Sequence, residues 1–417
     1  RLRSGTQGGG ESRSDSRLRR ALVTLQFALA LMLLVGAGLL LQSFRRVTAV
    51  PLGFDPRNLM VATISAVPQK YDSPEQAAAL YGRLLQSLRG VPGVTDAALI
   101  QHFPLKGAAV TTSIDIDGRS SLDKSSNQVF YRTVSESYLQ TMRMSLAFGR
   151  WFTTGDIQSP GGSFVVNQML ARRYWPGESA IGKHITVRRA SQSRADFGQP
   201  LPGTVIGVIN DVHQESQDVL PVPEVYVPYT LEVWPWTSLV VRVRDAAHAA
   251  PSLLRAVQSV EPSLLKAGWG TDKFTPVSEL LSERLEQRRF AMGLIGAFAG
   301  CALLLAAIGM YGVIAYGVTQ RTRELGVRKA LGATDGMIAS LVFRESLTLT
   351  ALGIVFGCFG AWAGARLIRG LLFDTSTGDP IAVAATIVLL TAVSLVATYL
   401  PARRATRLDP TIAMRGE

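Results

Sequence analysis

The sequence predicts a membrane protein in which four transmembrane α-helices carry a large α/β extracytoplasmic domain inserted between spans 1 and 2. Three observations lead there. Charged residues make up 18% of the 417 residues, against 47% hydrophobic, well below the roughly 25% charge of soluble proteins. Four stretches carry no charge at all: Ala21–Phe44 (24 residues), Phe290–Gln320 (31), Ser346–Ala365 (20) and Pro380–Ala402 (23). Each reaches the roughly 18–20 residues that cross a bilayer as a helix, the conformation that satisfies backbone polar groups internally. Finally, the formal charge of +12 is unevenly spread: from Arg45 to Gln287, 24 Lys and Arg face 22 Asp and Glu, so +10 of the excess lies beside the spans. That placement speaks for membrane orientation and against a nucleic-acid partner.

Residues 1–20 are expected to form a cytoplasmic linker. Their first 16 residues are rich in Gly, Ser and Arg, and Arg1 stands where a start Met would be, which suggests a junction inside a longer parent chain. Span 1 covers 21–44. It exceeds the h-region of a signal peptide, about 7–15 residues, and Arg45-Arg46 follow in place of a small-residue cleavage site. Basic residues gather before span 1 (Arg1, Arg3, Arg13, Arg17, Arg19, Arg20), between spans 2 and 3 (Arg321, Arg323, Arg328, Lys329, Arg344) and after span 4 (Arg403, Arg404, Arg407, Arg415). By the positive-inside rule these three segments share the cytoplasmic side, so residues 48–285 lie outside.

The external segment reads as mixed α/β. Leu59–Val67 has strand character, Ser73 is a natural N-cap for a helix over Pro74–Leu88, and Pro92-Gly93 turns into a strand at Val94–Ile100. A second strand-then-helix unit follows at Ser238–Val243 and Ala249–Val260. Between them, about 132–229, short strands and turns predict a β-rich insert. Residues 286–320 combine a stalk with span 2, whose 31 uncharged residues would run about 46 Å as a helix, more than a hydrocarbon layer of about 30 Å requires. The helical stripe Val277, Leu280, Leu281, Leu285 extends the helix outward. A cytoplasmic coupling helix is expected over 321–340, spans 3 and 4 over 341–371 and 380–402, and a cytoplasmic tail over 403–417.

No catalytic, cofactor-binding or metal-ligating set emerges. Gly177-Glu178-Ser179-Ala180-Ile181-Gly182-Lys183-His184 imitates a phosphate-binding P-loop, but His184 replaces the Mg²⁺-binding hydroxyl, and Pro176 precedes it where a buried strand belongs. His102, His184, His213 and His248 lack the i, i+3 or i+4 spacing of a helical metal pair. Asp115 and Asp117 share a strand face ahead of Gly118 and read as a solvated strand end. Cys301 and Cys358 fall in spans and read as small core residues. The four runs hold no Asp, Glu, Lys, Arg or His, which disfavours coupling to an ion gradient. Small residues recur every four positions instead, as Gly353, Gly357, Ala361 and Ala365 in span 3 and as Gly293, Ala297 and Cys301 in span 2, a spacing that allows close helix packing against another span or a second subunit.

The connector after span 2 reads Arg321-Thr322-Arg323-Glu324-Leu325-Gly326-Val327-Arg328-Lys329-Ala330-Leu331-Gly332-Ala333-Thr334. On one helix, Leu325, Arg328 and Leu331–Gly332 share a face, and Arg321, Glu324 and Arg328 stack at i, i+3 and i+4 spacing. A basic helix that only meets anionic lipid would leave the Glu and the two glycines unexplained. The segment resembles the signature of the MacB/FtsX-type ABC transporter permeases. The tail from Pro401-Ala402-Arg403-Arg404-Ala405 to Asp409-Pro410 and Arg415 is similar to that family's ending, and Gly53-Phe54-Asp55-Pro56 and Tyr174-Trp175-Pro176-Gly177-Glu178 also fit. More narrowly, the chain resembles the C-terminal module of a duplicated, fused permease.

This resemblance implies a MacB-like periplasmic core outside and mechanotransmission as the mode of action. A cytoplasmic ABC ATPase dimer, carrying ATP and Mg, would dock on Arg321, Arg323, Glu324, Gly326, Arg328 and Lys329, with Gly332 and Ala333 as the close-packed turn. The chain itself would be no enzyme and hold no cofactor. A second permease module, either the other half of a fused chain or a homologous subunit, and membrane lipids would complete its surroundings in a bacterial inner membrane, with both termini cytoplasmic. The implied role is efflux or release of envelope substrates. An activator of envelope hydrolases and a membrane sensor with an external binding domain are the alternatives.

Overall fold

The computed structural model describes residues 13–65, 71, 73–106, 110–116, 127–158, 161–192, 194–214, 219–264, 273–367 and 380–407. The first 12 residues of the linker, Ala66-Val67 of the first expected strand, Asp117-Gly118, residues 368–371 of span 3 and the tail from Leu408 lie outside the described residues, as does the side chain of Ala365. The chain divides into an external unit, Val50–Glu286, and a membrane unit made of Arg1–Ala49 and Gln287–Glu417.

After α1 (Arg13–Ala49), the external unit runs β1 (Leu59–Ser65), α2 (Pro74–Arg89), β2 (Val94–Ile100), β3 (Thr111–Ile116), β4 (Gln128–Val134), α3 (Tyr138–Met142), β5 (Leu146–Gly149) and α4 (Thr154–Gln158). It continues through β6 (Ser163–Asn167), α5 (Gln168–Tyr174), β7 (His184–Arg188), β8 (Pro200–Ile209), β9 (Glu224–Pro228), β10 (Trp236–Val243), α6 (Ala246–Val260) and β11 (Thr275–Pro276). Local chemistry sets the helix starts. Ser73 caps α2 by accepting from the Gln76 N–H, Asn167 caps α5 at Leu170 N–H, and Asp245 caps α6 at Ala247 N–H.

In the first lobe the strands lie in the order β11-β1-β10-β2, all antiparallel. The units β1-α2-β2 and β10-α6-β11 therefore interleave, each sending its helix across to a strand one place removed, a split β-α-β arrangement. β1 is buried on both faces. Met60, Ala62 and Ile64 meet Leu80, Leu84 and Leu88 of α2 and Leu253 and Val257 of α6, while Leu59 and Val61 meet Tyr138, Met142 and Ile157.

The second lobe orders its strands β4-β3-β7-β8-β6-β9, and β9 pairs back onto β4 in parallel, closing a ring of six. Closure removes the exposed edges that an open sheet would present; β5 pairs with β8 beside the ring. The β-rich insert expected from residue 132 begins earlier, at β3, because the Thr111–Ile116 strand is a stave of this barrel and pairs with both β4 and β7. Asp115 ends on that strand in an ion pair with Arg188 at 3.0 Å.

One charged pair is sealed where β4 meets β9. Arg132 has no exposed surface; its guanidinium donates to Glu224 Oε1 (3.3 Å), to Gln214 Oε1 (2.7 Å) and to the His102 carbonyl (3.2 Å). Tyr226 donates its hydroxyl to Glu224 Oε2 at 2.7 Å. Burial pushes the Glu224 carboxyl above its ordinary range, while Arg132 and Tyr226 hold it down. Removing one partner strands a buried charge.

The membrane unit adds α7 (Val277–Gln320), which starts inside the external unit, then α8 (Thr322–Ala330), α9 (Asp335–Leu367) and α10 (Pro380–Thr406). Four windows are long and apolar enough to span a membrane: Arg17–Ala49, Arg289–Gln320, Asp335–Gly364 and Val383–Thr406. The small-residue row of α9 packs on α1. A Cβ at Gly353 would stand 2.5 Å from the Phe27 Cβ, and one at Gly357 would stand 2.9 Å from the Leu31 Cβ and 3.0 Å from the Ala28 carbonyl. Ala361 packs into the same helical core. The α7 row differs: Gly293 has open space around it, and Cys301, expected in a core, is exposed.

Two outcomes follow from these contacts. Arg132→Met should destabilise the external unit by about 3–5 kcal/mol, and adding Glu224→Leu should recover much of the loss; calorimetry on the full chain reads both. Gly357→Leu should weaken packing of α1 on α9 by about 1–3 kcal/mol in detergent unfolding, whereas Gly364→Leu, with open space at its Cα, should leave it unchanged.

Candidate coupling site

α8 begins one residue after α7 ends, and its dipole is complemented by Glu324 in the first turn and by Arg328 and Lys329 in the last. The expected helix over 321–340 is in fact interrupted. Gly332 takes a positive φ of 97°, its N–H bonds the Lys329 carbonyl (3.1 Å) and the Ala333 N–H bonds the Arg328 carbonyl (3.0 Å). This is a Schellman turn, whose left-handed residue is most often glycine. Thr334 then accepts the Met337 N–H and opens α9 at Asp335. Residues 335–340 thus belong to the third spanning helix, and Leu331 and Gly332 to the turn.

Leu325 and Gly326 are buried, whereas Arg321, Arg323, Glu324 and Arg328 face outward. Arg328 Nη2 lies 2.6 Å from Glu324 Oε1, an i, i+4 pair along the exposed face. Arg321 does not stack on Glu324; it reaches Glu345 of α9 at 3.3 Å, and the same carboxylate accepts from Arg20 of α1 at 2.5 Å. Lys329 donates to the Thr406 carbonyl at the end of α10 and pairs with Asp335 at 3.2 Å. Arg323 is exposed, with no ion pair among the described residues. α8 is therefore pinned at both ends, with Arg323, Glu324, Val327 and Arg328 exposed between them.

Between α8 and the start of α9 opens a groove of about 420 Å³, lined by Leu325, Leu331, Met337, Ile338 and Leu341 with Arg328 at its rim, and Ala333 of the turn borders it. Leu331 is 83% exposed and Met337 65%. The charge pattern of the connector was plain in the sequence, but Met337 and Leu341 joined the groove only once the turn folded α9 back beside α8. Apolar residues flanking a Gly-Ala-Thr turn were the available signal.

The P-loop imitation sits elsewhere, in the external unit. It follows helix α5 and precedes strand β7, the reverse of the strand-loop-helix order that phosphate binding requires. Lys183 is paired with Glu178 at 2.7 Å. Among the described residues, no cluster of three or more His, Cys, Asp or Glu stands together as a metal site.

Comparison with known proteins places these features. The family described as MacB-like periplasmic core domain matches residues 21–256, more than half of the chain, and that described as FtsX-like permease C-terminal matches residues 296–410. An uncharacterised ABC transporter permease of Bacillus subtilis (strain 168), YknZ, is 26% identical over 68% of this chain and 69% of its own length. The macrolide export ATP-binding/permease protein MacB of Rhodospirillum rubrum is 30% identical over 67% of this chain, and that of Pasteurella multocida is 27% identical over 77%. The chain covers 42% and 48% of those two proteins, less than half of each. Among solved structures, the periplasmic region of MacB from Actinobacillus actinomycetemcomitans is 15% identical and aligns over 58% of this chain and 98% of that one, with a TM-score of 0.38. With four membrane-spanning helices, an α/β domain between the first two and matches to both family descriptions, the chain belongs to the MacB/FtsX-type ABC transporter permeases.

Proposed function

We propose that this chain is the transmembrane subunit of an ATP-driven transporter that passes the motion of a cytoplasmic ATPase dimer to its external unit, with ATP and Mg held by that partner. The observation that carries the reading is α7. It is one unbroken helix of 44 residues, about 66 Å long, whose first residue, Val277, is buried in the external core and whose last, Gln320, adjoins α8. In this reading a push at α8 travels along α7.

The exposed middle of α8 and its apolar groove suit a protein partner better than lipid. An apolar centre with a polar, solvent-accessible rim is the usual layout of a protein interface, and here Arg328 is the charged residue beside Leu325, Leu331, Met337, Ile338 and Leu341. In this reading α8 and both termini face the cytoplasm of a bacterial inner membrane, and the external unit acts in efflux or release of envelope substrates. A second permease module would pair with this one, and the exposed apolar face of α7, with Phe290, Leu294, Phe298, Leu304 and Ile308, would meet lipid or that module.

The test is an exchange of charges on α8. Glu324→Lys with Arg328→Glu keeps an i, i+4 ion pair, so the helix itself should persist, but it inverts the pattern presented to the partner. Stimulation of the co-purified ATPase should fall to its unstimulated rate, with membrane insertion intact. Stimulation at the native level would contradict the assignment.

A further inference from the structure

Glu345 stands immediately before the uncharged run of α9, and its side chain is 27% exposed. One oxygen accepts from Arg20 of α1 and the other pairs with Arg321, the residue at the N-terminal boundary of α8. The next residue turns the other way. Ser346 is fully buried; its Oγ lies 2.9 Å from the Ser394 Oγ of α10 and accepts from the Thr398 hydroxyl at 2.6 Å, and Thr350 lies 2.7 Å from Ser394. Successive residues of a helix point about 100° apart, so residues 345 and 346 bind different neighbours: the carboxylate holds α1 and α8, and the hydroxyl cluster holds α10. Interhelical hydroxyl bonds of this kind stiffen a bundle where no hydrophobic drive favours one helix over lipid.

We propose that Glu345 is the positioning residue of the coupling site, the group through which displacement of α8 reaches α1. The inference rests on the reading of α8 as the docking helix, and it adds a second route beside α7. The geometry favours this carboxylate for the role because it is the shared acceptor of two guanidinium groups on different helices. Arg321 cannot move away without changing the field that holds Arg20, and charge-assisted bonds are directional enough to pass on that change. Ser346 and its partners keep α9 and α10 together while this happens, so α9 serves as the fixed side of the joint.

The test uses the full chain with its co-purified ATPase in nanodiscs. Glu345→Gln and Arg20→Gln should each leave the ATPase bound while lowering its stimulation about fivefold, the scale of one to two modest interactions. The double variant should be no worse than either single one, because both remove the same link. Spin labels placed at Arg323→Cys and Leu18→Cys, with Cys301 and Cys358 replaced by Ala, should show a narrow distance distribution that broadens in Glu345→Gln. Native stimulation together with an unchanged distribution, or losses that multiply in the double variant, would overturn the proposal. A native chain that stimulates no ATPase would remove the coupling reading and this role with it, whereas the label distances separately report whether Glu345 ties α8 to α1.

Discussion

A hydrocarbon layer holds ionised side chains only at high cost, and this constraint arranges the whole chain. It empties one stretch in each of four helices of charge and gathers Arg and Lys beside those stretches. Once gathered, those charges need partners. Arg20, Arg321 and Glu345 find one another, Lys329 finds Asp335 and the end of α10, and Arg404 reaches the Tyr311 hydroxyl at 3.0 Å. The side of the bundle where these charges gather thereby becomes a cross-linked platform, and α8 sits in it with Arg323, Glu324, Val327 and Arg328 exposed.

The external unit is held together by its own sheet, independently of the hydrocarbon constraint. Its first lobe interleaves two β-α-β units so that chain-distant strands share a sheet, and its second lobe closes six strands into a ring. The junction is sealed by Arg132 and Glu224, both without exposed surface. A buried pair of this kind adds little net stability over a hydrophobic pair of the same shape, but it penalises any other pairing of β4 and β9 that would leave a charge unmatched.

Much of this was legible because it is local. The uncharged runs mark spans by composition alone, and Ser73 marked the start of α2 because a cap acts over three residues. What escaped was non-local or hidden by a continuing period. Leu325, Arg328 and Leu331 keep helical spacing through the connector, which masked the turn that Gly332 makes; Thr334 was the N-cap signal against a continuous helix. Barrel closure rests on a parallel pairing of β4 with β9 across about ninety residues, and register at that range leaves no mark in either strand. Glu345 lay just outside the uncharged run, and its partner Arg20 is 325 positions away. Cys301 looked like a core residue by size, but its helix face is exposed in this chain.

The proposed coupling rests on α7 carrying motion from α8 to the external unit. The direct measurement is hydrogen exchange across residues 50–276 of the full chain, bound to its ATPase in nanodiscs, with the ATPase trapped in its ATP state and again without nucleotide. Ala291→Pro, which breaks the helix between the two units, supplies the comparison. Nucleotide should alter exchange in the external unit of the native chain and leave it unaltered in the Ala291→Pro chain. The same nucleotide-dependent difference in both chains would contradict a lever through α7.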